Sequence, residues 1–221
     1  FNRAGALLAY TVSSTDRDGN GLYLMSLDNW SRRALDNAKA DYSRMTWDSA
    51  GTAIAVLRGM EKRGFTEREN ALLAFTGLDT PSPATFALGP AGIAGLPDTM
   101  VISERGTLTW SPDHSKIFVA IKAPDVRPAP PRRDSTVVEE PVGNVDVWHW
   151  KDTYIQSVQM VRAPQDRSRT YPATVLLAQK RLVPLADARM QTVQITRDGT
   201  WGVGRDGEDY IDDWKPQPAD Y

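Results

Sequence analysis

The 221 residues include only two histidines, His114 and His149, and no cysteine. A serine hydrolase needs its nucleophile on a tight strand-to-helix elbow, G-x-S-x-G, and a histidine to take the proton. No G-x-S-x-G occurs. His114 stands in "SPDHS", and histidine is one of the non-glycine residues that accept positive φ, so a turn residue is expected. His149 lies between Trp148 and Trp150 on a stretch that reads as strand, which points it away from both. No residue of the chain is assigned a catalytic role, and without cysteine there are no thiolate metal sites.

Asp16, Asp18, Asn20 and Gly21 spell D-x-D-x-N-G, the opening of a calcium loop. Such a loop closes with a bidentate Glu at its twelfth position, where this chain has Leu27. A polar hairpin tip is the expectation, with Asp16, Asp18 and Asn20 kept as candidate calcium ligands. No cofactor is expected. The acidic group Asp206, Glu208, Asp209, Asp212 and Asp213 reads as a solvated loop, because like charges without spaced basic partners face water. Trp47, Trp110, Trp148, Trp150 and Trp201 are expected to pack between sheets, which leaves Trp30 and Trp214 as candidate ligand contacts.

The elements that would position these residues follow from a repeated phrase. "WSPDHSKIFV" from Trp110 has degenerate copies in "FNRAGALLAY" from Phe1, "WDSAGTAIAV" from Trp47 and "ITRDGTWGVG" from Ile195. Each runs from an aromatic or apolar residue through a short polar turn into an apolar strand. Gly5, Gly51, His114 and Gly199 share one column, and Phe1, Trp47, Trp110 and Ile195 another. Trp47, Gly51, Trp110, Asp113, His114, Asp198 and Gly199 are therefore assigned structural repeat roles. Self-similarity of this kind marks a repeat architecture. The intervals of 46, 63 and 85 residues suit propeller blades of about 40–50 residues carrying insertions. The insertions are placed at 59–70 and 122–144. Short period-two runs predict many strands, among them "NVDVWHW", and "SVQMVRA" with "ATVLLAQ" around the turn-rich "PQDRSRTYP". Sustained helical periodicity is not found. The expected fold is all-β: one partial β-propeller over residues 1–221, of about three to four blades of four-stranded antiparallel sheet.

The segments "LLAYTVSSTDRDGNGLYLMSL", "YSRMTWDSAGTAIAVLRG", "LTWSPDHSKIFVAIK", "VDVWHWKDTYIQSVQ" and "TRDGTWGVGRDGEDYIDDW" resemble the propeller domain of bacterial prolyl-oligopeptidase-like serine peptidases, within the wider class of TolB-like propeller repeats. The resemblance implies a non-catalytic propeller that gates peptide substrates and packs on a hydrolase domain outside this chain, in the periplasm or secreted. The alternative it leaves open is a TolB-like module binding a protein or glycan partner. Composition adds exclusions. Formal net charge is −2, with no basic footprint for nucleic acid. No apolar run reaches the 18–20 residues of a membrane span. A chain beginning on a repeat copy at Phe1 is expected to be processed, trimmed or a fragment. An unclosed ring exposes strand edges and apolar faces, so its partners are expected to be the hydrolase domain, the remaining blades or a second copy, the last in isologous pairing.

Overall fold

The structure is a computed structural model that describes residues 1–90, 93–127, 149 and 154–206. Among the described residues, four antiparallel sheets follow one another. Blade 1 is β1 (Leu7–Val12), β2 (Gly21–Ser26) and β3 (Arg32–Asn37), in that spatial order. Blade 2 is a complete four-stranded meander of β4 (Asp41–Trp47), β5 (Ala53–Glu61), β6 (Arg68–Thr76) and β7 (Ala84–Leu88). In blade 3 the first strand is split into β8 (Val101–Ile102) and β9 (Thr109–Trp110), both paired with β10 (Lys116–Lys122). The sheet continues through β11 (Tyr171–Leu176) to β12 (Arg181–Pro184). Blade 4 is the pair β13 (Thr192–Ile195) and β14 (Gly202–Arg205).

Side chains alternate between sheet faces, and the alternation decides how the blades stack. Ala9, Leu22 and Leu24 of blade 1 pack on Ile54, Val56, Leu73 and Phe75 of blade 2 in one buried cluster. Ala53, Ala55, Leu57, Leu72 and Ala74, on the other face of blade 2, pack on Ile117, Val119, Ala173 and Val175 of blade 3 in a second. Blade 2 is thus buried on both faces, and β5 and β6 read as nearly unbroken apolar runs for that reason. Successive meanders stacked face to face on a common turn are a partial β-propeller.

Three expectations need correction. The stretch "QSVQMVRAPQDRS" is the helix α1 (Gln156–Ser168), which holds Pro164 and buries no residue. β11 already pairs with β10 and β12, so neither of its edges is left for the expected hairpin partner. Gln, Met, Arg and Ala are also good helix formers. The segment 59–70 is not a loop throughout, because β5 runs to Glu61 and β6 starts at Arg68. Pairing of Gly59 with Asn70 and Glu61 with Arg68 leaves 62–67 as the turn. Lys122, placed in the second insertion, is the last residue of β10. Residues 128–144, and all of "NVDVWHW" except His149, lie outside the described residues.

Candidate functional site

The four repeat turns share one hydrogen-bond frame. The second residue of each ten-residue unit donates its N–H to the carbonyl five residues on, Asn2 to Leu7, Asp48 to Ala53, Ser111 to Lys116 and Thr196 to Trp201. The fifth donates back to the second, from Gly5, Gly51, His114 and Gly199. All four fifth residues sit at positive φ, from 56° at His114 to 79° at Gly51. Side chains brace the frame in two chemical ways. In units 1 and 2 an Asn2 or Asp48 oxygen accepts N–H groups four and five residues ahead. In units 3 and 4 the Ser111 or Thr196 hydroxyl accepts the N–H five ahead and donates to Asp113 or Asp198.

These bonds set the acidities of the turn carboxylates. Burial raises Asp48, but the N–H groups of Ala53, Ala50 and Thr52, with His114 beside it, outweigh burial and hold it below the ordinary range. Asp113 is held well below that range by the hydroxyls of Ser111 and Ser115. Asp198 is held low by Thr196 and Thr200.

The turns also latch onto one another. Asn2 Nδ2 donates to the Gly51 carbonyl at 3.2 Å, and Arg3 reaches the Ser49 carbonyl at 3.3 Å. His114 Nε2 lies 2.9 Å from the fully buried Asp48 carboxylate, and its ring meets Trp110 edge-on. Lys116 Nζ donates to the Gly199 carbonyl at 3.1 Å. His114 is thus an inter-blade contact as well as a turn residue. Its partner Asp48, which no sequence pattern singled out, is the residue that the repeat alignment places beside the aromatic column.

At the opposite end of the sheets ion pairs do the cross-tying. Arg17 of blade 1 bridges Asp41 at 3.1 Å and Glu61 at 2.6 Å on blade 2. Arg68 joins Asp41 to Glu104 of blade 3. Lys122, almost wholly buried, pairs with Glu67 at 3.0 Å and Asp125 at 2.9 Å. Beside this belt lies a groove of about 400 Å³ between blades 2 and 3. Phe65, Ile93, Leu96, Pro97, Met100 and Pro124 form its apolar wall. Lys62, paired with Glu69 at 2.5 Å, lies over the Phe65 ring at the rim, and Asp98 is an exposed lining residue. No motif in the sequence marks this groove, because it is assembled from a hairpin turn and two inter-strand connections.

The calcium candidates are engaged in separate bonds within the hairpin and to the β3–β4 connection. Asn20 is buried, accepting from the Ser14 N–H and donating to the Ala40 carbonyl at 2.8 Å. Asp16 accepts from the Ser14 hydroxyl, and Asp18 pairs with Lys39. Among the described residues no three acidic or histidine side chains converge on a metal site. Trp110 is 8 % exposed and Trp47 half-buried, whereas Trp201, expected between sheets, is 73 % exposed. It occupies the seventh position of its unit, on the face of blade 4 that meets no further sheet among the described residues. Trp30 is 74 % exposed at φ 57° on the β2–β3 turn. His149 is exposed, and Trp148, Trp150, Trp214 and the acidic residues from Glu208 onward lie outside the described residues.

No family model matches the sequence, and no curated protein matches it either. Among solved structures, the tricorn protease aligns over 93 % of this chain and 24 % of its own, at 8 % identity and a TM-score of 0.37. TolB from Acinetobacter baumannii aligns over 89 % of this chain and 45 % of its own, at 11 % identity and a TM-score of 0.26. The chain therefore spans less than half the length of the tricorn protease and of TolB.

Proposed function

We propose that this chain is a non-catalytic propeller module of a periplasmic or secreted peptidase, holding and admitting extended apolar peptides for hydrolysis by a domain outside the sequence. The observation that carries this reading is the groove between blades 2 and 3. Its volume falls in the range of small-ligand sites, and its lining sets Phe65, Ile93, Leu96 and Met100 among the polar groups Lys62, Glu69, Asp98 and Thr99. Phe65, Leu96 and Met100 would take apolar side chains, and Asp98 would attract a peptide's amino group. Beside it, Lys122 ties the hairpin turn at Glu67 to the segment after β10 at Asp125. Fluorescence anisotropy with labelled apolar, proline-containing peptides tests this reading. Saturable binding that Leu96→Glu abolishes is expected, with no cleavage by the isolated chain. Absence of binding up to millimolar peptide, or hydrolysis blocked by a serine-reactive phosphonate, would reject it.

A second reading, a TolB-like module that docks a protein or glycan partner, is favoured by Trp30. A bulky residue at positive φ is strained, yet Trp30 stands at a hairpin tip with its ring in solvent. The two readings separate by substitution, since Trp30→Ala leaves groove binding intact and removes partner binding.

A further inference from the structure

Two lysines border the β5–β6 turn, and their surroundings differ in kind. Lys122 has 4 % of its side chain exposed, and its ammonium meets three acceptors, the Glu67 and Asp125 carboxylates and the Ala123 carbonyl. All three of its N–H groups are matched, and moving it would strand buried charge. Lys62 is 43 % exposed. Its ammonium pairs with the Glu69 carboxylate at 2.5 Å and lies 5.3 Å from the centre of the Phe65 ring. An exposed pair of this kind holds weakly, so the Lys62 side chain can swing off into water at little cost.

What Lys62 covers belongs to the groove, since Phe65 and Glu69 both line it. Among the charged residues of the lining, Lys62 is the cation and Glu69 and Asp98 are the anions. Turning Lys62 outward therefore leaves two carboxylates in the groove with no cation beside them. Glu67 and Asp125 next to it are already held by Lys122, while Asp98 has no ion-pair partner among the described residues. An aromatic face beside a carboxylate takes a cation, and a guanidinium best of all, because it lies flat on the ring while its fork of N–H groups meets the carboxylate. Ile93, Leu96 and Met100 supply apolar wall in the same groove for a neighbouring side chain.

We propose that Phe65 and Glu69 form a subsite for a basic side chain, that the chain's own Lys62 fills it, and that the peptides taken by the groove carry arginine beside an apolar residue. Lys62 stands in for the ligand's cation, showing that an ammonium group fits against the ring and the carboxylate together. It is also a built-in competitor. A neutral side chain offers nothing in exchange for breaking the Lys62–Glu69 pair, whereas a guanidinium replaces both contacts of the departing ammonium and leaves Lys62 hydrated. Selection for charge follows from that difference between ligands. The inference rests on reading the groove as a peptide site and adds which residue it selects.

The test is fluorescence anisotropy of the full chain with labelled apolar peptides that differ at one position, arginine or its neutral isostere citrulline. Acetyl and amide caps keep the peptide ends out of the comparison. The parent chain is expected to favour the arginine peptide by about fivefold. Lys62→Met should widen that ratio to about twentyfold by removing the competitor, and Glu69→Gln should bring it down to about one. A ratio that Lys62→Met fails to widen overturns the subsite and leaves the groove a peptide site, whereas no binding of either peptide at millimolar concentration removes both. Acylation of lysines in the parent chain removes any dependence on variant folding. Lys62 should label several times faster with the arginine peptide present than with the citrulline peptide, while Lys122 labels slowly with either. A Lys62 rate that is the same with both peptides rejects the exchange.

Discussion

Blade 2 and blade 4 are entered through the same turn and differ in almost everything beyond it. Both hold a fifth-position glycine in the left-handed region and a carboxylate that accepts backbone N–H bonds inside the turn. Blade 2 has a neighbour on each face and buries β5 and β6 almost completely, whereas all four residues of β14 are exposed. The turn is a local structure, closed by bonds within a few residues of each other. Burial belongs to the pair of sheets that meet, so identical unit positions carry different energies at different places in the row.

Tryptophan substitutions test that difference most directly. Trp110 sits in the core between blades 2 and 3, so Trp110→Ala should cost about 3–5 kcal/mol. Trp201→Ala, measured at a dilution where the chain is monomeric, should stay within about 0.5 kcal/mol of the parent, as exposed positions do. Urea titrations followed by tryptophan fluorescence give both values. Equal costs would mean that blade 4 is covered in solution and that the contrast between the blades is an error.

Glycine replacement makes the same comparison inside the turns. Gly5 and Gly51 hold almost the same φ, 73° and 79°, so an alanine pays the left-handed cost of about 1–2 kcal/mol at either. Only at Gly51 does the new Cβ also fall 2.8 Å from the Arg3 backbone nitrogen, across the blade 1–blade 2 junction. Gly51→Ala should therefore exceed Gly5→Ala by roughly 1–3 kcal/mol of overpacking. If thermal melts place the two variants together, the turn-to-turn contact is looser in solution than 2.8 Å implies.

Asp48 ties turn chemistry to pH. Its carboxyl is held below the ordinary range when folded, so the unfolded state binds the proton more readily. The stability it contributes is present above its unfolded value, near 3.9, and is lost as pH falls below that through the folded value. Asp48→Asn should cost about 1–3 kcal/mol at neutral pH, as loss of bonds to a charged group does. The variant's stability should then fall less steeply than the parent's below about pH 4. Denaturant midpoints at pH 3 and pH 7 decide the matter. A variant as acid-sensitive as the parent would shift the effect to Asp113 and Asp198, which are also held low.

The fold class was legible in the sequence because the repeat turn is local. Gly5, Gly51 and Gly199 signal positive φ by residue type, and the apolar run after each signals a strand. What the blades meet was not legible in the same way. Trp201 looks like a core tryptophan by type, and only the absence of a sheet against its face, among the described residues, leaves it exposed. The helix α1 was missed because period two in "SVQMV" is short enough to fit an exposed helix as well as a strand. The groove was invisible, since Phe65, Leu96 and Pro124 come from three connections that the fold alone brings together.

His114→Gly is the finest of these tests, because two effects of similar size oppose each other. Glycine would relieve the left-handed strain that histidine bears at φ 56°, worth about 1–2 kcal/mol. It would also remove the partner 2.9 Å from the buried Asp48 carboxylate, a bond to a charged group worth about 1.5–3 kcal/mol. The loss should prevail, leaving the variant less stable by up to about 2 kcal/mol. In an Asp48→Asn background the bond to a charged group is already gone, so the same substitution should become stabilising. That reversal, read from a double-mutant cycle of urea midpoints, isolates the cross-blade contact from the turn that carries it. His114→Gly stabilising by the same amount in both backgrounds would show that the turn column alone governs this position and that the Asp48 contact contributes nothing.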